Sequence, residues 1–319
     1  MSRQSYRTYS GAFGRFIMTF LKKASLIVLQ GICGVVALCP WFVIYALADT
    51  TFFFIYYIIR YRRKVVDANL AECFPDMSVA QRNDVARRFY RNFADIIFET
   101  VKLLHISDDD VLERMQFDDI AVMQRLIDQK RPIAIYFAHT GNWEWAPSVT
   151  LHLNAPGVDF GQVYRPLRNE VMDKLMLGIR SRFGSVSYPK ATVFRSLFRQ
   201  AREGVLTVTG FMSDQKPSHG DPTLPVLFLN RPTAMITGTE TLARRLHMAA
   251  VYWDMEKLSR GHYRIRCRLL ADDVARTPEH EVTMQYARML QQTIKRNPAI
   301  WLWTHKRWKI PVVGHVSQL

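Results

Sequence analysis

The sequence predicts an α/β protein, a mainly parallel central sheet flanked by helices and preceded by an N-terminal membrane-anchoring helix. Two patterns carry that expectation. From Pro132 onward, short β-branched and aromatic runs alternate with amphipathic stretches, as when parallel strands are joined by crossover helices. Ahead of them, Ala24 to Ala48 runs for 25 residues without a charge, where one spanning helix needs roughly 20 apolar residues.

Residues 1–64 read as the anchor. They hold nine basic residues (Arg3, Arg7, Arg15, Lys22, Lys23, Arg60, Arg62, Arg63, Lys64) and a single acid, Asp49. Because cations flank both ends of the apolar run, orientation stays undetermined. A span and an interfacial hairpin bent near Pro40 and Asp49 are both open, and a buried helix pair of a soluble protein is the third alternative. A cleaved signal peptide fits less well, since the run exceeds an ordinary signal core and no small-x-small site precedes a polar start.

Residues 65–319 read as one catalytic domain. The stretch 65–130 is expected to be helical, with Ser78 as an N-cap and Val85, Phe89, Phe93, Ile96, Ile97 and Thr100 on one helical face. Candidate strands follow at Ile133–Phe137, Val158–Tyr164, Gly204–Phe211, Val226–Leu229, Ala249–Met255 and Tyr263–Leu270. Candidate helices lie at Trp143–Leu153, Asn169–Phe183, Val193–Glu203, Met235–Leu246 and Glu281–Lys295. The sequence contains no internal repeat and no long linker.

With 49% apolar residues over 319 positions, the chain can build a substantial core, which excludes disorder. Lys and Arg exceed Asp and Glu by 43 to 28, a net charge of +15 that favours anionic partners. The clustering of cations around the apolar run favours an anionic membrane over nucleic acid, because no recognition helix, zinc knuckle or aromatic RNA-binding strand accompanies it. The four cysteines, Cys33, Cys39, Cys73 and Cys267, show no metal-ligand spacing and read as reduced, buried thiols on the cytosolic side of a membrane.

Chemistry concentrates in Ala138-His139-Thr140-Gly141-Asn142-Trp143-Glu144. His139 follows an apolar strand, and so is expected at the carboxyl edge of the sheet, where open α/β sheets hold ligands. Glu144, five residues on, is expected to reach one ring nitrogen and leave the other free to act as a general base. No nucleophile elbow or reactive-cysteine context is present, which implies direct transfer to a bound alcohol. Arg165 and Arg168, in Val163-Tyr164-Arg165-Pro166-Leu167-Arg168-Asn169, could hold phosphates at a strand end. Asp214 and Gln215 stand at the end of another strand, on the same edge as His139. Pro225–Leu229 could line an apolar groove or pack the core. Near the carboxyl end, Trp301, Trp303 and Trp308 stand among His305, Lys306, Arg307 and Lys309, which suits a membrane interface or anionic sugar phosphates as well as a structural cluster.

Taken together, His-Thr-Gly-Asn-Trp-Glu resembles the H-x4-D/E block of the lysophospholipid acyltransferase superfamily, and in particular of the lipid A late acyltransferases. Asn69-Leu70-Ala71-Glu72-Cys73-Phe74-Pro75, the Tyr164-Arg165-Pro166 block, Asp214-Gln215 and the terminal tryptophan cluster are similar to that family's further blocks, in its order. Nothing between Leu103 and Met123 matches. The resemblance implies a glycerolipid-acyltransferase-like fold and transfer of a lauroyl- or myristoyl-type chain to a hydroxyl of a lipid A precursor. The donor would be acyl-carrier protein or acyl-CoA as thioester co-substrate, with no metal or other cofactor. His139 and Glu144 would be catalytic; Arg165, Arg168, Asp214, Gln215 and Asn142 would bind substrate; the location would be the inner membrane, facing the cytosol. Another glycolipid acceptor and a non-catalytic lipid-binding protein are the competing readings.

Overall fold

In a computed structural model, which describes residues 23–310, 312 and 315–319, seven strands form one sheet in the order β1-β9-β8-β2-β5-β3-β4. Five of them run parallel: β8 (Ala249–Ser259), β2 (Ile133–Phe137), β5 (Thr207–Met212), β3 (Asp159–Tyr164) and β4 (Val186–Pro189). β9 (His262–Ala271) turns back antiparallel on β8 and pairs in parallel with β1 (Met115–Asp118) at the edge. β2 is buried over its whole length, as a central strand covered on both faces should be.

The expected strands and helices are present, with corrections. Val226–Leu229 lies outside the main sheet, where β6 (Thr223–Phe228) pairs antiparallel with β7 (Arg231–Ile236). The backbone turns between them at Leu229 and Asn230, both at positive φ. Met235 and Ile236 accordingly belong to a strand, and the helix expected from Met235 is α9 (Gly238–Arg245). Trp143–His152 is a 3-10 segment rather than an α-helix; Pro147 within it has no N–H to donate and its ring obstructs the preceding turn. β1 and β4 escape the sequence patterns because each is only four residues long, and β7 because Pro232 interrupts its run.

The stretch 65–130 is mostly helical: α3 (Arg63–Cys73), α4 (Val79–Lys102), α5 (Asp108–Arg114) and α6 (Ala121–Asp128), with β1 set between the last two. Ser78 caps α4 as expected. Its hydroxyl accepts from the Gln81 amide, and Gln81 reciprocates toward the Ser78 N–H, closing a capping box. α7 (Glu170–Arg180), α8 (Val193–Arg202) and α10 (Glu281–Arg296) complete the layers. Two apolar groups result, one on each face of the sheet, with Tyr136, Phe211 and Tyr252 on one side and Ile135, Phe137 and Trp253 on the other.

Two apolar helices precede the domain, α1 (Lys23–Leu38) and α2 (Trp41–Phe53), the latter continued by a wide turn to Ile58. Trp41–Ile58 is long and apolar enough to cross a membrane. Arg3, Arg7, Arg15 and Lys22 lie outside the described residues.

Candidate active site

Strand register builds the site. Phe137 of β2 stands opposite Met212 of β5, so the residues two positions beyond each, His139 and Asp214, face one another across the sheet's carboxyl edge. The Asp214 carboxylate lies 2.7 Å from His139 Nδ1 through Oδ1, and Oδ2 accepts the His139 backbone N–H at 3.1 Å. Trp301 donates its indole N–H to the same Oδ2 at 2.9 Å. Burial alone would push the Asp214 carboxyl up, but the charge and hydrogen bond of His139, the Trp301 indole and the His139 amide outweigh it. They hold the carboxyl below its usual range. Nδ1 thus faces the carboxylate, and Nε2 on the other side of the ring lies 3.1 Å from the Gln215 side-chain nitrogen.

This corrects the expected partnership of His139 with Glu144. Both Glu144 oxygens are taken by Arg180 of α7, at 2.8 and 2.6 Å, and the Trp143 indole donates to Oε1 at 3.1 Å. A two-point guanidinium–carboxylate pair leaves little reason for that carboxylate to turn toward an imidazole. The chain reaches Glu144 through the 3-10 segment, whose tighter winding departs from the helical geometry on which the expectation rested.

Asn142 is also repositioned. It is fully buried and donates from Nδ2 to Glu99 at 2.8 Å, which braces the loop. Glu99 also takes Tyr263 Oη–H at 2.8 Å, while its backbone carbonyl accepts the Trp145 indole at 2.9 Å. Burial pushes the Glu99 carboxyl up. Gly141 sits at φ +53°, and a Cβ there would come within 2.8 Å of Met255 and 3.3 Å of Tyr263; only glycine fits that bend. Its N–H donates to the Ile300 carbonyl at 3.0 Å. Arg165 and Arg168 are exposed just past β3 on the same edge, and neither has an ionic partner among the described residues.

The carboxyl-terminal cluster is a strap across the site. Leu302 N–H donates to the His139 carbonyl at 3.1 Å, and Trp301 forms an isolated bridge with Thr140. His305 Nε2 accepts the Lys216 N–H at 3.2 Å, and burial pushes that imidazole down to about 4. Trp301 and Trp303 are buried, so these two rings pack the core and do not meet a membrane. Arg307 is buried as well and donates to the Ala234 carbonyl at 2.7 Å. Asn69 of α3 donates to the Trp303 and His305 carbonyls at 2.9 and 3.1 Å, and Phe74 packs edge-on against Trp303. Val226 and Phe228 are core residues, Phe228 against Trp301. Sequence patterning named Trp301 and His305 in the carboxyl-terminal cluster without their partners at the site, and missed Arg180 and Glu99, because each acts through contacts distant in the chain.

A buried carboxylate holding a histidine at the carboxyl edge of a parallel sheet, beside exposed arginines and behind an apolar amino-terminal segment, is an arrangement suited to taking a proton from a bound hydroxyl. The chain belongs to the bacterial lipid A biosynthesis acyltransferase family, whose model matches residues 16–310. It is 22% identical over 260 residues to a lipid A biosynthesis palmitoleoyltransferase of Escherichia coli (strain K12), covering 81% of this chain and 82% of the relative. A lipid A biosynthesis acyltransferase of Shigella flexneri matches with the same identity and coverage. A Haemophilus influenzae protein of that description is 21% identical over 57% of this chain and 56% of its own. The protein is an acyltransferase of lipid A biosynthesis.

Proposed function

We propose that the chain moves a fatty acyl group from an acyl-carrier-protein thioester to a hydroxyl of a lipid A precursor, with His139 as general base. The observation that carries this reading is the Asp214–His139 pair, which favours the tautomer with its proton on Nδ1 and a basic Nε2. His139 Nε2 removes the acceptor hydroxyl proton as that oxygen attacks the thioester carbonyl carbon. The C–O bond forms, the C–S bond breaks, and the imidazolium returns its proton to the departing thiolate. The Gln215 amide, which donates to that Nε2 at 3.1 Å, gives way to the acceptor hydroxyl and is then near enough to help the developing oxyanion. Arg165 and Arg168 meet the anionic head group, and Glu144 acts with Arg180 to hold the loop that carries His139. Free, mostly buried cysteines support a reducing compartment and therefore the cytosolic face of the inner membrane.

The test is transfer of a labelled acyl chain from acyl-carrier protein or acyl-CoA to a tetra-acylated lipid A precursor, by membranes containing the protein. Proton transfer by a positioned base contributes ~10²–10⁴-fold, so His139→Ala should lose about that much. Asp214→Asn should lose a comparable factor and Glu144→Gln much less. Full loss in Glu144→Gln with an active Asp214→Asn would return the pairing to His139 and Glu144.

A further inference from the structure

α2 has two faces of opposite character. Ile44, Ala48 and Phe52 are buried against the domain, four residues apart along one side of the helix. Phe42, Ala46, Thr50, Phe53, Phe54, Tyr57 and Ile58 are exposed on the other. The buried side is tied to polar groups from end to end. Trp41 donates to Asp110 at 3.2 Å and lies under the Arg114 guanidinium at 4.0 Å. Tyr45 donates to Glu99 at 3.4 Å. Asp49 takes both guanidinium nitrogens of Arg260, at 3.0 and 2.9 Å, and Arg260 also holds Asp95 at 2.6 Å. Further along, Tyr56 packs on Tyr90 and lies 4.6 Å from the Arg63 guanidinium.

These partners descend α4 from Glu99 to Tyr90 as α2 ascends, so the two helices lie side by side and antiparallel. α1 repeats the pattern, with Cys33 and Ala37 buried and Ile27, Val28, Ile32, Val35 and Leu38 exposed. Lys102 of α4 donates to the Ala37 and Cys39 carbonyls, each at 2.8 Å, and so fastens the break between the two helices at Pro40.

Trp41–Ile58 would measure about 27 Å at ~1.5 Å per residue, enough to cross. Crossing while packed in this way would carry Asp49, Arg260, Asp95 and Glu99 into hydrocarbon, and charged groups there cost several kcal/mol or more each. Lying flat costs none of this. It immerses the bare aromatic and aliphatic stripe and leaves the exposed Arg60 and Lys64 at the head-group level beside Tyr57 and Tyr61.

We infer that α1 and α2 form an in-plane, monotopic wedge whose outer stripe enters one leaflet of an anionic bilayer, so that the amino terminus and the catalytic domain lie on the same side. This rests on the membrane reading given above. The full-length protein tests it. In a Cys39→Ser background, single reporters Ser5→Cys and His219→Cys would be probed with a membrane-impermeant maleimide in sealed right-side-out and inside-out vesicles. Both reporters should react in the same preparation and be shielded in the other; reaction in opposite preparations overturns the wedge while keeping membrane attachment. Wild-type protein should sediment with vesicles containing anionic phospholipid, and Phe54→Glu/Ile58→Glu should sediment at least ten-fold less. Failure of the wild type to sediment overturns the membrane reading itself. Efficient self-crosslinking of Tyr57→Cys without vesicles overturns the lipid assignment in favour of a second copy of the chain.

Discussion

Asp214 receives three donors, and the Trp301 indole is the one whose removal changes the chemistry least ambiguously. Trp301→Phe keeps a buried ring and deletes one hydrogen bond to Oδ2. A carboxylate with fewer donors is more basic and stabilises the adjacent imidazolium more strongly. The acid limb of kcat/KM should therefore move to higher pH in the variant, while kcat above that limb stays within a few-fold of wild type. An unshifted profile with lower expression would reduce Trp301 to packing. His305 gives a second pH dependence. Its folded pKa is depressed to about 4, whereas the unfolded residue takes up a proton near pH 6.5. The folded state thus binds fewer protons, and stability falls as pH drops from about 6.5 toward 4. Unfolding midpoints measured over that window should fall more steeply for wild type than for His305→Asn. Both predictions concern residues that local patterning could not assign. His139 and Asp214 were each legible, as polar groups just past apolar strands on one edge. Their contact was not, since it depends on the β2–β5 register, and Glu144 drew attention through its nearness in sequence and its place in the H-x4-D/E block.

The same division holds for elements. β2, β3, β5, β8 and β9 were readable because β-branched and aromatic runs mark strands buried between layers, and α4 because Ser78 opens an amphipathic run. What failed did so for local reasons: Pro147 turns an expected helix into a 3-10 segment, and the strands of four residues at 115–118 and 186–189 carry too short a pattern to register. The helix expected from Met235 failed because a hairpin takes its first residues. α4 carries both the Glu99 side chain under the active-site loop and the partners of α2, so its amino-terminal cap should matter beyond the first turn. Ser78→Ala removes the capping-box acceptor and should destabilise the protein by about 1 kcal/mol, measured as a shift of the denaturation midpoint in detergent. Ser78→Asp should restore most of it. A midpoint unchanged in Ser78→Ala would mean that the start of α4 is held by tertiary packing alone.

At the scale of the molecule, two segments more than 200 residues apart meet behind the site. The Asn69–Pro75 stretch and the Pro298–Lys309 strap look like separate motifs in the sequence, yet Asn69 donates to the Trp303 and His305 carbonyls while the strap holds His139 and Asp214 through Leu302 and Trp301. The amino-terminal helices and the catalytic edge are therefore joined by hydrogen bonds as well as by apolar packing. Asn69→Leu keeps the side chain's approximate size but strands the buried Trp303 carbonyl, whereas the His305 carbonyl keeps the Arg307 N–H at 3.0 Å. A buried unsatisfied group costs about 1–3 kcal/mol, so the unfolding free energy should fall by that amount. If the strap positions the site, kcat of the folded fraction should fall as well, while KM for the acyl donor stays close to wild type, because the donor is not expected to touch the strap. A lower unfolding midpoint with unchanged kcat would show instead that the strap fastens the domain without setting the Asp214–His139 geometry.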